Sequence, residues 1–154
     1  MSDQPSDTSL LQDPVARELL SSKRMAHLAY TWSDGTPRVV PIGFHWDGEV
    51  LTMGTPPRAP KLKVLEARPE VAITIDDEST FPFKALLIRG LASVEMLDDV
   101  SPQYEAATMR YMGDEQGAAW VAQLRGQPMA RISVRPTRVC ILDFVTRFPS
   151  ALSA

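Results

Sequence analysis

Two Asp-Gly pairs, Asp34-Gly35 and Asp47-Gly48, lie thirteen residues apart, and each separates two runs that alternate as β-strands do. Asp-Gly is typical of a tight hairpin turn, because glycine readily adopts the positive φ that such turns require. The runs MAHLAYTW, PRVVPIGFHW and EVLTMG are therefore predicted to form an antiparallel meander. A doubly wound parallel sheet is disfavoured, since helices do not alternate regularly with these strands.

Further strand-like runs lie in the second half of the chain. They are VAITID, KALLIRGLASVEML and a long final run from about Met129 to Phe144 that is interrupted by Pro136. Together with the meander they make about six mostly hairpin-linked strands, and closure into a barrel would remove the exposed edges of strands this long. The predicted fold is therefore mainly β, a small antiparallel barrel with peripheral helices.

Helix starts are marked by a capping residue that is followed by proline or by an apolar stripe. The predicted helices begin at Asp13-Pro14 and end at Lys23-Arg24, span Pro60 to Ala67, begin at Ser101-Pro102 and run through about Met112, and follow a cap at Asp114.

The composition is that of one ordinary globular domain. The 154 residues are 44% apolar and 23% charged, which is typical of a soluble domain with a substantial core. We expect residues 1–12 to form a disordered N-terminal tail, 13–146 the domain and 147–154 a C-terminal tail. No apolar run is long enough to cross a bilayer and the polar start lacks a signal-peptide pattern, so a cytoplasmic protein is expected.

Charge and cysteine content exclude some partners. A formal net charge of −3 argues against nucleic acid, which requires a broad basic face. The single cysteine, Cys140, lies in the apolar run VCILDF and is predicted to be a buried small hydrophobic residue. With only His27 and His45 as histidines, no metal site is predicted.

Residues 54–68 are basic although the whole chain is acidic. This segment has a local net charge of +3, because it contains four basic residues and one acidic residue. The basic residues are Arg58, Lys61, Lys63 and Arg68, and the acidic residue is Glu66. Positive charge at a loop and a helix start suits a phosphate group. The alternative is a solvated helix whose lysines only keep the surface polar, and the spacing alone does not separate the two.

No self-contained catalytic motif is present: the sequence lacks G-x-S-x-G, H-E-x-x-H, a P-loop and G-x-G-x-x-G. A phosphate-binding segment without catalytic residues suggests that a cofactor supplies the chemistry. Pro41 and Gly43 within one predicted strand are costly for strand pairing. They indicate either the close approach of a flat ring to the backbone or a bulge or barrel corner.

The chain resembles the pyridoxamine 5′-phosphate oxidase-like superfamily, the split β-barrel flavin and deazaflavin oxidoreductases. The resemblance covers about residues 14–97 and continues more weakly through the final strand. It rests on the order and spacing of SDGTPRVVPIGF, WDGEVLTMG, PRAPKLKVLEARPEVAITID and IRGLASVEML. It implies an antiparallel split barrel of Greek-key type, a flavin-binding domain over 13–146 and a homodimer with cofactor sites at the subunit interface.

The resemblance also implies which residues contact the cofactor. In the family one strand supplies an arginine and backbone contacts to the flavin ring, and the loop and helix after the next strand bind the phosphate. The matching residues here are Arg38, Val40, Pro41 and Ile42 for the ring, Thr52, Gly54 and Thr55 for the loop, and Arg58 and Lys61 for the phosphate.

Two departures from the family pattern bear on function. The usual Ser-Arg-Lys is replaced by Ala59-Pro60-Lys61, which removes a hydroxyl and a guanidinium beside the lysine; Arg58 is the candidate replacement. The C-terminal arginine signature of true pyridoxamine phosphate oxidases is not visible, so oxidation of vitamin B6 is not predicted.

The function implied is that of a flavin mononucleotide (FMN)-dependent oxidoreductase acting on an unknown small molecule, with no catalytic residue assigned. The first alternative is a reductase that uses deazaflavin F-420, whose oligoglutamate tail would require further cations such as Lys63 or Arg68. The second is a non-catalytic flavin or haem carrier. The helical insert at 101–125 either roofs a substrate pocket or packs onto the barrel or a partner subunit, and packing is favoured.

Overall fold

Residues 8–148, which this computed structural model describes, are built on a single sheet of seven antiparallel strands. The strands are β1 (Ala26–Thr31), β2 (Pro37–Ile42), β3 (His45–Trp46), β4 (Leu51–Thr55), β5 (Glu70–Asp77), β6 (Lys84–Leu97) and β7 (Met129–Leu142). Across the sheet they follow the order β2, β1, β5, β6, β7, β4, β3. The prediction of a mainly β, antiparallel fold is confirmed.

The two edge strands of this sheet, β2 and β3, are consecutive in the chain and separated only by Gly43 and Phe44. Two residues cannot span a flat sheet of seven strands, whose neighbours lie about 4.8 Å apart. The sheet must therefore curl until its edges meet, and Phe44 is fully buried at that junction. The prediction of one continuous strand through Trp46 is wrong, because the chain changes from one sheet edge to the other at Gly43.

The core of the curled sheet is filled by apolar side chains, most of them leucine and isoleucine, as a small barrel requires. The largest fully buried side chains are Phe44, Leu19, Leu28, Leu51, Met53, Leu65, Ile73, Ile75, Leu86, Ile88, Ile132 and Ile141. They come from both halves of the chain, so no part of the described sheet has a core of its own.

A β-bulge explains the proline inside the final strand. β6 and β7 pair over their whole length, and the register shifts between Arg89 and Gly90, where Gly90 faces Pro136. A Cβ at Gly90 would lie 2.5 Å from the carbonyl oxygen of Arg135. Glycine at 90 is therefore required by the close approach of the two strands at the bulge.

Four α-helices occur within the described residues: α1 (Pro14–Leu20), α2 (Lys61–Ala67), α3 (Pro102–Met112) and α4 (Asp114–Leu124). The caps at Asp13 and Ser101 are confirmed, since their side chains accept hydrogen bonds from Val15 N (2.9 Å) and Tyr104 N (3.1 Å). None of the helices in this part of the chain combines the length and apolar character needed to cross a membrane.

Two predicted helix ends are wrong. Gly113, with φ of 83°, occupies the cap of α4, and Asp114 is the first helical residue. The first helix ends at Leu20 rather than at Arg24. Arg24 lies instead beside β1, and its guanidinium pairs with the carboxylate of Asp77 at 2.5 Å.

The packed domain extends beyond 13–146 at both ends. Residues Ser9–Gln12 form a 3-10 helix whose Leu11 is buried in the core, so this part of the predicted tail is not free. Arg147 is bound to the carboxylates of Asp13 (2.8 Å) and Asp143 (2.9 Å). The rest of the two predicted tails, 1–7 and 149–154, lies outside the described residues.

Candidate functional site

An open crevice of about 390 Å³ lies between the β1–β2 hairpin and the start of α2. It is lined by Tyr30, Trp32, Arg38, Val40, Pro60 and Lys61. Its walls therefore combine two aromatic rings and two aliphatic side chains, those of Val40 and Pro60, with two cations. Apolar walls with a few convergent charged groups are typical of a cofactor site.

Lys61, the first residue of α2, provides the charge at one end of the crevice. Its Nζ donates a hydrogen bond to Oγ1 of Thr55, the last residue of β4, at 3.0 Å. Partial burial lowers the pKa of the Lys61 ammonium, because desolvation disfavours the charged form. Among residues 8–148 no carboxylate lies within ion-pair distance of this ammonium.

The β1–β2 hairpin shapes the other wall. Its turn is held by Asp34, whose Oδ1 accepts hydrogen bonds from the backbone N of Thr36 (2.9 Å) and from its hydroxyl (2.6 Å). Gly35 takes the positive φ of 86° predicted from the Asp-Gly pair. Across the hairpin, the Arg38 guanidinium lies 5.5 Å from the centre of the Trp32 ring, within the range of a cation–π contact.

Arg68, which follows α2, ties that helix to the same hairpin. Its two terminal nitrogens donate to the carbonyl oxygens of Trp32 (3.1 Å) and Ser33 (3.2 Å). Arg68 is thus bonded to the backbone of the hairpin that carries the aromatic wall, although it does not itself line the crevice. Its backbone bonds fix the distance between the hairpin and α2.

Only some of the residues predicted to contact the flavin ring or its phosphate lie together in the structure. Arg38, Val40 and Lys61 line the crevice, and Thr55 contacts Lys61. Pro41 is exposed on β2, an edge strand, which is where proline is tolerated in a sheet. Ile42 points into the core, whereas Arg58 is exposed in the loop before α2 and does not line the crevice.

Thr52 and Gly54 lie at a different cavity, because side chains of β4 alternate between two faces. One face turns Leu51 and Met53 into the barrel core, and the other meets the helical insert. This second cavity, of about 300 Å³, lies between β4 and the insert. The predicted packing of the insert onto the barrel is observed.

Tyr30 and Trp32 are wall residues that the sequence prediction missed. The available signal was their position, on alternate residues directly before the Asp-Gly turn that leads to Arg38. Residues two apart on a strand share a face, and a hairpin turn brings that face beside the start of the next strand.

Neither histidine lines the crevice. The His45 imidazole lies at another cavity beside α1, and its pKa is lowered by burial and by the nearby Arg110 guanidinium. His27 is exposed on β1, with its Nδ1 at 3.6 Å from the Asp76 carboxylate. Within residues 8–148 no three side chains of the types His, Cys, Asp or Glu cluster as a metal site would require, and Cys140 is half-buried rather than buried.

Comparisons with solved structures place this fold among known proteins. The chain is 30% identical to an F-420 reductase, covering 79% of this chain and 93% of that one with a TM-score of 0.61. It is 19% identical to a conserved hypothetical protein from Mycobacterium tuberculosis (88% and 84% covered, TM-score 0.65). It is also 19% identical to the haem storage protein HutZ from Vibrio cholerae (85% and 93% covered, TM-score 0.59). The last two show similarity of fold alone.

A comparison with protein families agrees with the structural one. The family model described as pyridoxamine 5′-phosphate oxidase matches residues 12–142, which is nearly the whole described barrel. No curated protein matches the chain. The chain belongs to the pyridoxamine 5′-phosphate oxidase family and has the split-barrel fold of that family's relatives.

Proposed function

We propose that the chain is an oxidoreductase that holds a flavin-type cofactor in the crevice, with the cofactor's phosphate on Lys61 and Thr55. The observation that carries the proposal is the Lys61 ammonium, which is partly buried, hydrogen-bonded to Thr55 and without a carboxylate partner among the described residues. A desolvated cation is costly unless an anion reaches it. A phosphate group would offset that cost.

The remaining crevice residues suit a flat ring with an anionic form. Tyr30, Trp32 and Val40 offer apolar surface, and the Arg38 guanidinium would stabilise negative charge that develops on a reduced ring. A flavin-type cofactor supplies hydride chemistry when it is bound, so the chain needs no nucleophile or metal of its own. The residues of the chain bind and orient it.

Deazaflavin F-420 is the first candidate for this cofactor. The solved F-420 reductase is 30% identical to the chain. The Ala59-Pro60-Lys61 sequence leaves fewer phosphate ligands than the family pattern has, which suits a singly charged phosphodiester better than a terminal phosphate. Arg68 is exposed and bonded to the backbone of the hairpin beside the crevice, and in this proposal it is a candidate contact for the acidic tail of F-420.

FMN is the second candidate, favoured by the match to the oxidase family model over residues 12–142. Its phosphate would use the same ammonium and hydroxyl. A haem carrier has less support, because neither histidine lines the crevice. The homodimer and the cytoplasmic location expected from the sequence are part of this proposal, and the mass of the loaded protein in solution tests the dimer.

Titration of purified, cofactor-free protein with F-420 and with FMN, followed by cofactor fluorescence, tests the proposal. We expect both to bind and F-420 to bind more tightly. Lys61→Ala should lower the affinity for either cofactor by about tenfold or more, since a hydrogen bond to a charged group contributes about 1.5–3 kcal/mol. Reoxidation of the reduced, loaded protein by added acceptors would then separate an enzyme from a carrier.

Lys23→Ala is the matched control, because Lys23 is exposed at the opposite end of β1 from the crevice. It removes the same charge and should leave both affinities unchanged. Binding of neither cofactor, or wild-type affinity in Lys61→Ala, would overturn the proposal. Tighter binding of FMN than of F-420 would reverse the order of the two candidates.

A further inference from the structure

We propose that the cavity between β4 and the helical insert binds a small neutral ring compound that carries a hydroxyl or carbonyl oxygen. This cavity of about 300 Å³ is separate from the Lys61 crevice and shares no lining residue with it. The proposal therefore does not rest on the identity of the cofactor. It rests on the polar groups, the walls and the charge of the cavity.

The first observation is that two largely buried threonines have hydroxyl groups with no hydrogen-bond partner among residues 8–148, although neither oxygen is fully enclosed by protein. The buried polar residues of the described chain are Thr52, Thr55, Ser101 and Thr108. Thr55 accepts from Lys61 and Ser101 caps α3, so both have partners. Thr52 (7% exposed) and Thr108 (6% exposed) have none among residues 8–148, and both line this cavity. A hydroxyl that opens into a cavity and has no protein partner can donate to, or accept from, a ligand oxygen placed there.

The walls of the cavity suit a flat ring. Tyr104, Tyr111 and Trp120 contribute aromatic surface, and Met25 and Met112 contribute thioethers that adapt to a ring edge. The Tyr111 hydroxyl is already used, since it donates to Arg24 O at 2.9 Å. It therefore does not compete for the ligand oxygen that faces the two threonines.

The cavity contains no charged side chain, which is why a neutral compound is proposed. Its opening is marked by Trp120, which is 41% exposed and donates from Nε1 to the Tyr104 hydroxyl at 3.0 Å. Beyond this pair a neighbouring cavity of about 360 Å³ extends to Thr55. A ligand in the insert would thus lie near the Lys61–Thr55 contact, on the other face of β4.

Gly54 shows that the insert is fitted closely to this face of the barrel. A Cβ at position 54 would overlap the Tyr104 ring and would lie 3.1 Å from the sulfur of Met129. The aromatic wall therefore approaches β4 as closely as a glycine allows. The space that remains beside Thr52 and Thr108 is a cavity within this closely fitted contact.

Binding of 2-naphthol to the purified protein, observed through ¹³C-labelled methionine methyl groups by NMR, tests the site. The Met25 and Met112 signals should shift, whereas Met53 in the barrel core and Met96 on β6 should not. 2-Methylnaphthalene, which lacks the oxygen, should bind about 2- to 10-fold more weakly. Unmoved Met25 and Met112 signals at saturating 2-naphthol would overturn the proposal.

Three variants test the assigned residues. Thr52→Val and Thr108→Val remove the hydroxyl groups with little change of side-chain shape. Each should lower the affinity for 2-naphthol by about 2- to 10-fold. Thr74→Val, on β5 and away from the cavity, is the matched control and should have no effect. Ala107→Leu adds three carbon atoms, a methine and two methyl groups, to the cavity wall and should abolish binding of 2-naphthol.

Wild-type affinity in both threonine variants would also overturn the proposal. If Ala107→Leu does not fold, as judged by the Met53 signal, the two threonine variants decide the question alone. Weaker binding in Thr74→Val by the same factor as in Thr108→Val would likewise contradict the assignment.

Discussion

Lys61 has the features that the proposed phosphate contact requires of a single residue. Its ammonium is partly desolvated, its pKa is lowered by that burial, and its one described partner is the neutral hydroxyl of Thr55. A lysine that served only solubility would extend into solvent, as Lys63 two residues later does. The difference between these two lysines favours the phosphate interpretation of the basic segment over the solvated-helix interpretation.

The lowered pKa predicts how cofactor affinity depends on pH. Phosphate binding requires the charged form, and the free protein disfavours that form, so affinity should fall as pH rises towards the lowered pKa of Lys61. The decline should begin below the range of an ordinary lysine, whose pKa is about 10.4. Dissociation constants measured between pH 7 and pH 10 check this.

Lys61→Arg is the control for that titration. A guanidinium stays charged up to a pH of about 12, so the variant should bind with a flat profile over the same range. An equal decline in Lys61→Arg would show that another group, or the cofactor itself, is titrating.

At the scale of elements, α3 joins the insert to the barrel through its last turn. Arg110 donates to the carbonyl oxygens of Ser22 (3.0 Å) and Phe44 (2.5 Å), and its guanidinium lies 4.9 Å from the centre of the Phe44 ring. The adjacent Tyr111 hydroxyl donates to Arg24 O and accepts from Phe44 N at 3.4 Å. The bonds to Phe44 satisfy backbone groups at the junction of β2 and β3, and those to Ser22 and Arg24 satisfy carbonyl oxygens of the segment before β1.

Tyr111→Phe should therefore destabilise the protein although it removes a single atom. The variant leaves partly buried backbone groups at Arg24 and Phe44 without their partner, which costs about 1–3 kcal/mol. The free energy of unfolding from urea titration measures this. Tyr30→Phe is the control, since no described group bonds the Tyr30 hydroxyl, and it should change stability by less than about 0.5 kcal/mol. Equal effects of the two variants would contradict the role given to Tyr111.

At the scale of the whole molecule, the two ends of the described chain are fastened together. Arg147 reaches the Asp13 carboxylate, which also caps α1, and the Asp143 carboxylate four residues before it. The hydrogen bond from Arg147 lowers the pKa of Asp13, and backbone hydrogen bonds from the following turn lower the pKa of Asp143. Both carboxylates are therefore held in their charged forms by the fold.

Stability should consequently fall on the acid side. Because the folded pKa of Asp13 lies below its unfolded value of about 3.9, its contribution is complete above that pH and is lost as pH falls through the folded pKa. Arg147→Gln should reduce stability at pH 7 by about 0.5–1 kcal/mol and less at pH 3. Urea unfolding at the two pH values measures both effects.

Arg135→Gln is the matched control, because its pair with Glu49 is exposed on both sides and closes no part of the fold. It should leave the acid dependence unchanged. A loss of stability in Arg147→Gln that is the same at pH 3 as at pH 7 would contradict the charge-based explanation.

The sequence by itself determined the features that depend on local chemistry. Three such features follow from residues within a few positions of one another. They are the positive φ at Gly35 and Gly48, the helix caps at Asp13 and Ser101, and the span of the long strand β6. Lys61 and Thr55 also belong to this group, since a short loop between β4 and α2 limits how far apart they can lie.

The tertiary structure alone decided the closure of the barrel and the division of the predicted site. Strand periodicity runs through Gly43 without a break, and only the meeting of two sheet edges separates β2 from β3 there. Likewise, alternation puts Thr52 and Gly54 on one face of β4, but only the docking of Tyr104 turns that face into a cavity. Both outcomes depend on contacts between residues distant in sequence, which local propensity does not encode.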